Sequence, residues 1–221
     1  MPQERVLPHR VPLREQIIRC VRGLDSPPTV ADMQPRPNIS DFDLTPGSKP
    51  PLNKSLTPAA VLVPIVERSN DLTILLTKRT DHLHDHAGQI SFPGGRTEET
   101  DAGPIATALR ETEEEIALKP SFIELIGFLD TYETTTGFLV TPVVGFISPG
   151  FQLNPDQFEV AEVFEVPLSF LLDPSNHQVK SCVVRGVRYG FYQMEYEKYI
   201  IWGATAGMLI NLYRRVADIH V

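Results

Sequence analysis

Apolar runs of strand length dominate the chain from residue 59 onward. AAVLVPIVER (59–68) and LTILLTKR (72–79) are rich in β-branched and aliphatic residues and are separated by SND. Runs of this kind, joined by a short polar turn, predict a hairpin of buried strands. SFIELIGFLDTYET (121–134) and FLVTPVVGFIS (138–148) repeat the arrangement around a Thr/Gly turn. The pattern therefore predicts two strand pairs in the body of the chain.

Later segments complete this body. VAEVFEVPLSFLLD (160–173) predicts a strand that ends at Pro167 and is followed by a short helix, and residues 183–203 predict two more strands. In ATAGMLINLYRRVAD (204–218) the apolar residues recur at helical spacing and predict a closing helix. Strands with one early and one late helix favour an α/β fold, with a mixed sheet between helices.

The first 57 residues differ in character from the body. LREQIIRCVRG (13–23) ends in glycine and carries one apolar helical stripe, formed by Leu13, Ile17, Ile18 and Val21. Prolines recur from residue 26 to 58 and exclude a long helix or a central strand there. We therefore expect an N-terminal amphipathic helix (1–25), a Pro-rich arm or linker (26–57) and a body (58–221). The arm would wrap over the body or over a second subunit, which leaves a homodimer open.

A glycine turn and a glutamate-rich helix lie between the two strand pairs, in SFPGGRTEETDAGPIATALRETEEEIAL (91–118). One stripe of the helix is expected to pack on the sheet, formed by Ile105, Ala108, Leu109, Thr112 and Ile116. Because residues three and four apart share a helix face, Glu111, Glu114 and Glu115 should gather beside that stripe. Glu113 should point elsewhere, and Arg110 should pair with Glu114. The cluster is explained either as a solvated acidic face or as ligands of a hard cation, and spacing alone leaves both open.

Composition limits the classes of partner. The formal net charge of −8 at pH 7 disfavours nucleic acids and anionic membranes, because both attract basic surfaces. Cys20 and Cys182 lie far apart, which argues against a disulfide scaffold and for a reducing compartment. The N-terminus lacks a signal-peptide core, and the apolar runs are shorter than the roughly 20 residues of a membrane-spanning helix. We therefore expect a cytoplasmic protein without nucleic-acid or membrane partners.

The glutamate helix and its preceding turn resemble the Nudix box, G-x5-E-x7-R-E-U-x-E-E-x-G-U, where U is a bulky aliphatic residue. The matching positions are Gly95, Arg110, Glu111, Glu114 and Glu115. Asp101 stands at the first acidic position, the gap that follows it is one residue longer, and Ala117 replaces the last glycine.

A second segment narrows the resemblance. LLTKRTDHLHDHAGQISFPGG (75–95) resembles the LLTxR-x4-R-x3-G-x3-FPGG signature of the coenzyme A pyrophosphatase branch of the Nudix superfamily, which also carries the longer box. His84 replaces the second arginine and Thr80 the usual Ser or Ala, and the closing IIWGATAGML (200–209) resembles this branch as well. The resemblance implies a Nudix-type α/β/α sandwich with a mixed β-sheet. It also implies metal-dependent hydrolysis of the pyrophosphate bond of coenzyme A or acyl-CoA, to 3′,5′-ADP and (acyl-)4′-phosphopantetheine.

The resemblance also implies roles for individual residues. Mg²⁺ or Mn²⁺ would be held by Glu111, Glu114 and Glu115, and Arg110 would orient a metal-binding glutamate. A nucleotide substrate would contact Arg79, His84, Gly94 and Gly95. A further carboxylate, acting as a ligand or general base, is expected before a late strand. There Glu159 is favoured over Glu162, because its distance from Pro167 fits better.

Alternatives stay open at this point. His84 in place of arginine is compatible with another nucleoside diphosphate substrate such as ADP-ribose, and a non-catalytic nucleotide-binding Nudix module is a further class. The alternating His82, His84 and His86 could bind a transition metal, although a phosphate contact by His84 fits better. The aromatic residues Tyr132, Phe138 and Trp202 either stack on adenine or belong to the core.

Overall fold

The apolar runs of the body form one central sheet in the computed structural model, which describes residues 12–28, 40–45, 56–69, 71–82, 88–184 and 187–218. Within these residues the sheet contains β1 (Thr57–Glu67), β2 (Leu72–Arg79), β3 (Ile90–Ser91), β4 (Gly94–Arg96), β5 (Ile123–Phe128), β6 (Tyr132–Glu133), β7 (Phe138–Ile147) and β8 (Val160–Pro167). Its central order is β3-β2-β1-β7-β5, while β4 pairs with β1, β6 with β7 and β8 with β2. Strands β1 and β7 are parallel and the other pairs are antiparallel, so the sheet is mixed. Both predicted strand pairs are confirmed.

Side chains of β1 alternate between the two faces of this sheet. Val63 and Ile65 join one buried cluster, and Leu62 and Val66 join the other. Helix α1 (Leu13–Cys20) and helix α4 (Gly203–Asp218) cover the first face, and helix α2 (Pro104–Ile116) covers the second. The expected α/β architecture, with helices on both faces of a mixed sheet, is confirmed.

A second, smaller sheet follows the short helix α3 (Leu168–Leu171). Its strands are β9 (Gln178–Val184), β10 (Val187–Tyr196) and β11 (Tyr199–Trp202), all antiparallel, in the order β11-β10-β9. The sequence predicts two strands in this region, whereas the structure forms three and pairs them apart from the central sheet. Met194, Tyr199 and Ile201 join the buried cluster that contains α4, so hydrophobic contact rather than strand pairing joins the two sheets.

Helix α1 lies within the segment where an amphipathic helix is expected. Ile17 is fully buried, but Ile18 is 38% exposed, so its expected place on the buried stripe is wrong. Successive residues on a helix are about 100° apart, so burying Ile17 turns Ile18 toward the flank. Among the described helices, none combines the length and apolar character that crossing a membrane requires.

The C-terminal end of α4 connects to the N-terminal helix through buried polar groups. The guanidinium of Arg215 donates to both oxygens of Asp130, at 2.6 and 3.1 Å, and to the backbone carbonyl of Cys20 at 2.7 Å. Asn211 donates to the same Asp130 carboxylate at 3.0 Å. These bonds hold α1 against the domain.

Residues 40–45, the described middle of the Pro-rich arm, pack on the same chain. The Asp41 carboxylate accepts hydrogen bonds from the Tyr132 hydroxyl (2.8 Å) and the Thr135 backbone N–H (2.8 Å). The Thr45 hydroxyl accepts the Gly190 N–H at 3.0 Å. A Cβ at Gly190 would meet Leu44, so the glycine permits this approach. The division into helix, arm and body stays a prediction.

Candidate active site

The glutamate helix begins and ends at special backbone positions. Gly103 precedes it with φ of 136°, and Pro104 occupies its first position, where the missing N–H costs no helical bond. The helix ends at Ala117, whose φ of 56° lies in the left-handed region. Ala117 stands where the box has its last glycine, so the chain keeps the backbone conformation that glycine favours.

Arg110 is the hydrogen-bonding hub of this helix. Its Nε and Nη2 donate to the two oxygens of Asp101, at 3.0 and 2.9 Å. Its Nη1 donates to Glu111 at 2.9 Å and to Glu114 at 3.1 Å, and Nη2 also reaches the carbonyl of Arg96 at 3.1 Å. The predicted contact with Glu114 is confirmed. A planar guanidinium suits this arrangement, because its donors point in fixed directions toward several acceptors.

Asp101 lies at the position of the first acidic residue of the box. Besides Arg110, it accepts a hydrogen bond from the Glu98 backbone N–H and one from the Thr107 hydroxyl, both at 2.9 Å. The hydrogen bond from Arg110 holds the pKa of Asp101 well below its usual range. Asp101 therefore anchors Arg110 and ties the loop before α2 to the helix.

Glu111 packs directly on the glycine turn. A Cβ at Gly95 would lie 2.5 Å from both carboxylate oxygens of Glu111, so only glycine leaves room for them. Burial raises the pKa of Glu111, the nearby charges of Glu114 and Glu159 act in the same direction, and Arg110 opposes them. The turn and the arginine together fix this carboxylate.

Glu115 carries the most deeply buried carboxylate of the helix, with 5% of its side chain exposed. Its charge is compensated only weakly, by the Gly94 N–H at 3.3 Å and by Arg79 Nη1 at 3.8 Å. Burial raises the pKa of Glu115 to about 8, and the charges of Glu111 and Glu159 add to the increase. This local excess of negative charge would be relieved by a bound cation.

A β-bulge separates the two candidate carboxylates of the late strand. Lys78 pairs with Glu162 but Arg79 pairs with Val160, so Ala161 is the extra residue on β8. The bulge places Glu162 on the face of α4, where it accepts hydrogen bonds from Tyr199 and Lys198. Glu159 lies before the bulge, close enough to Glu111 and Glu115 to raise the pKa of both. The structure thus brings Glu159 to the glutamate helix and directs Glu162 away from it.

The other candidate residues fall in different places. Glu114 is exposed and contacts Arg110, and Glu113 is exposed as expected. Leu109 belongs to neither buried cluster, and Thr107 is buried instead, so the predicted packing stripe is wrong at Leu109. His84 and His86 lie outside the described residues, whereas the His82 ring lies 4.9 Å from that of Phe158. Tyr132 is buried, while Trp202 is 40% exposed.

The chemistry of these carboxylates suits a hard divalent cation, but their positions do not form a complete set of ligands. In the described parts of the chain, no three His, Cys, Asp or Glu side chains lie close enough together to hold a metal ion as they stand. Arg110 engages Glu111 and Glu114, which explains why the three helix glutamates do not converge. The donor set still suits Mg²⁺ or Mn²⁺, because Glu111 and Glu115 supply carboxylate oxygens, the charge of Glu115 is only weakly compensated, and Glu159 lies near both.

Comparison with known proteins identifies the family of the chain. The model of the NUDIX domain matches residues 56–184. The uncharacterized Nudix hydrolase NudL of Escherichia coli K12 is 46% identical over 154 residues, which cover 70% of this chain and 80% of that protein. NudL of Shigella boydii serotype 18 gives the same values.

Solved structures resemble the chain at lower identity. A MutT/nudix family protein from Enterococcus faecalis is 16% identical, with a TM-score of 0.49, over 77% of this chain and 66% of that chain. A C. elegans Ap4A hydrolase binary complex is 17% identical, with a TM-score of 0.45, over 50% of this chain and 80% of that chain. Because the domain model covers more than half of the residues and NudL is 46% identical, this chain belongs to the Nudix hydrolase family.

Proposed function

We propose that this Nudix hydrolase cleaves the pyrophosphate bond of coenzyme A or acyl-CoA, giving 3′,5′-ADP and (acyl-)4′-phosphopantetheine. The signature segment 75–95 directs the proposal to coenzyme A. The main structural support for the proposal is the position of Arg79, which lies inside that segment and beside Glu115. Its buried Nε has no hydrogen-bond partner among the described residues, so a donor is available for a diphosphate oxygen.

Arg79 and the residues around it would have separate roles in the reaction. In the reaction, water adds its oxygen to one phosphorus, the bridging P–O bond breaks, and a proton of the water passes to a base. Arg79 offsets diphosphate charge, and Gly94 and Gly95 let the substrate approach the backbone closely. Glu159 is the candidate general base, because it lies just before β8, outside the glutamate helix, and its charge acts on both Glu111 and Glu115.

Nudix hydrolases generally use divalent metal ions such as Mg²⁺ or Mn²⁺. In this chain Glu111, Glu114 and Glu115 would hold the metal, with Glu114 at the exposed end, and Glu159 would lie beside them as the candidate base. When bound, the metal neutralises the diphosphate and lowers the pKa of a bound water. Arg110 would keep Glu111 in place throughout.

A substrate panel tests the proposal. Coenzyme A, acetyl-CoA, ADP-ribose and NADH are incubated with the protein and Mg²⁺, and the products are identified by mass spectrometry in ¹⁸O-labelled water. We expect 3′,5′-ADP and 4′-phosphopantetheine from coenzyme A, one of them labelled, and no reaction in EDTA. Glu115→Gln should lower kcat by about a hundredfold or more, because it removes a ligand charge.

Glu113→Gln provides the matched control, because Glu113 is exposed on the same helix turn and lies outside the cluster. It should leave kcat unchanged. A protein that cleaves nothing in the panel refutes the enzyme assignment, and a much higher kcat/KM for ADP-ribose than for coenzyme A refutes the substrate assignment.

A further inference from the structure

A second binding feature lies on the sheet face opposite to the carboxylates. There β2, β8 and β11 enclose an open cavity of about 350 Å³. Its lining includes Lys78, Glu162, Lys198, Tyr199, Ile200 and Trp202. Small-molecule sites typically occupy roughly 300–1,000 Å³, so this cavity has room for one end of a nucleotide rather than for a whole coenzyme A molecule.

The cavity carries a net positive charge. Glu162 accepts hydrogen bonds from Lys198 at 2.9 Å and from the Tyr199 hydroxyl at 2.6 Å, and the Tyr199 ring is stacked on Phe164. Lys78 pairs with Glu162 across the strands and its charge helps to lower the pKa of that carboxyl, but among the described residues its ammonium is within hydrogen-bond distance of no acceptor. Two ammonium groups thus face one carboxylate, and Lys78 is the group available to an anion.

Trp202 and Ile200 form an apolar wall beside these charges. They alternate along β11 with the buried Tyr199 and Ile201, and they stay 40% and 52% exposed. Phe191 contacts the Trp202 ring edge to face at 5.4 Å, which limits the positions of the indole. A large exposed aromatic side chain next to an ammonium group that makes no direct hydrogen bond suits a ligand that combines a flat ring with a phosphate.

The cavity lies within reach of the candidate active site. Lys78 and Arg79 are consecutive on β2, and their side chains point to opposite faces of the sheet. A ligand bound across the end of β2 could therefore place its diphosphate near Arg79 and a second anionic group near Lys78.

We infer that this cavity binds the 3′-phosphoadenosine end of the substrate, with Lys78 contacting the 3′-phosphate and Trp202 packing on the adenine. The inference rests on the proposed coenzyme A substrate. The other end of coenzyme A, the pantetheine arm, is uncharged and would gain nothing from the ammonium groups. Glu162 acts as a positioning residue, because it holds Lys198 and Tyr199 at the rim.

Dephospho-coenzyme A, which lacks only the 3′-phosphate, provides the test. Lys78→Ala should raise KM for coenzyme A about tenfold, because a charge-assisted hydrogen bond is lost, and leave kcat unchanged. For dephospho-coenzyme A its KM should stay within about twofold of the wild-type value. Lys78→Arg should retain the preference, and Trp202→Ala should raise KM for both substrates. Lys119→Ala, at an exposed lysine beyond α2, should change neither.

Three outcomes separate this inference from the proposed function. If Lys78→Ala changes KM for both substrates equally, or for neither, the cavity assignment is overturned while hydrolysis stands. If the wild type cleaves neither substrate, the function fails, and calorimetric titration with adenosine 3′,5′-bisphosphate and AMP decides on the cavity. Tighter binding of the bisphosphate that Lys78→Ala abolishes supports the site, and equal binding of the two nucleotides overturns it.

Discussion

Gly95→Ala should inactivate the protein without unfolding it. The new Cβ would lie 2.5 Å from each carboxylate oxygen of Glu111, and an ordinary contact needs at least 3.4 Å. The carboxylate must therefore move by about 0.9 Å, and a misplacement of about 1 Å in a catalytic arrangement costs on the order of 10²-fold in rate. Alanine adopts the Gly95 backbone conformation without strain, because its φ is not in the left-handed region.

The assay is kcat/KM for the cleaved substrate with saturating Mg²⁺, together with the thermal midpoint Tm. Gly23→Ala is the matched control, because nothing lies within 4 Å of its added Cβ. Gly94→Ala should instead lower Tm, since its φ is 152° and its Cβ would lie 2.5 Å from the Val61 Cα. If Gly95→Ala keeps activity within about threefold of the wild type, Glu111 does not act from the position described.

Three further changes test other parts of the structure. Arg110→Lys should lower kcat/KM by about tenfold or more, because a single ammonium replaces the planar guanidinium that contacts several acceptors. A kcat/KM equal to that of the wild type would contradict the positioning role of Arg110. A thiol reagent such as DTNB should modify Cys182 in the native protein and Cys20 only after unfolding. The reason is that Cys182 is exposed, whereas burial raises the pKa of Cys20 to about 11. The folded Cys182→Ser variant should contain no thiol that reacts rapidly with DTNB, and a rapid reaction would contradict the burial of Cys20. Arg215→Ala should lower the free energy of unfolding by about 3 kcal/mol in urea titrations, since it leaves Asp130 buried without its main partner, and an unchanged midpoint would refute this.

The sheet and the glutamate helix were predictable because local patterns determine them. The runs at 59–68 and 72–79 are long, apolar and separated by a polar turn, and they form β1 and β2. Helix α2 starts after Gly103 at a proline, which the sequence indicates directly. The separate sheet of β9, β10 and β11 was not predictable, because an apolar run does not specify its pairing partner.

The membership of the candidate site stays a prediction, and its geometry was only partly predictable from the sequence. The spacing of Glu111, Glu114 and Glu115 places them near one another, but it does not indicate that only Glu115 is buried. Burial depends on how α2 rotates against β1 and β4, and that rotation follows from long-range packing. The partnership of Arg110 with Asp101 spans nine residues across a loop, so helical spacing cannot reveal it.

The cavity beside Trp202 also depends on long-range packing that the sequence does not show. Lys78 and Trp202 are 124 positions apart in the sequence, and they meet only because β11 returns beside β3 and β8. An aromatic residue in a strand is usually part of the core, and Tyr132 follows that rule. The 40% exposure of Trp202 distinguishes it, and exposure is a property of the folded chain.

The extra residue at Ala161 affects how roles can be transferred between relatives. Side chains alternate along a strand, and a bulge takes up one extra residue so that the positions on either side of it keep their faces. A relative without this residue would therefore keep the pairings of Val160 and Glu162 seen here, but its two acidic residues would stand two rather than three positions apart in the sequence. A single-codon deletion could thus change the spacing of these carboxylates without moving Glu162 to the other face. An alignment that hides such a gap would transfer the role proposed for Glu159 to the wrong residue.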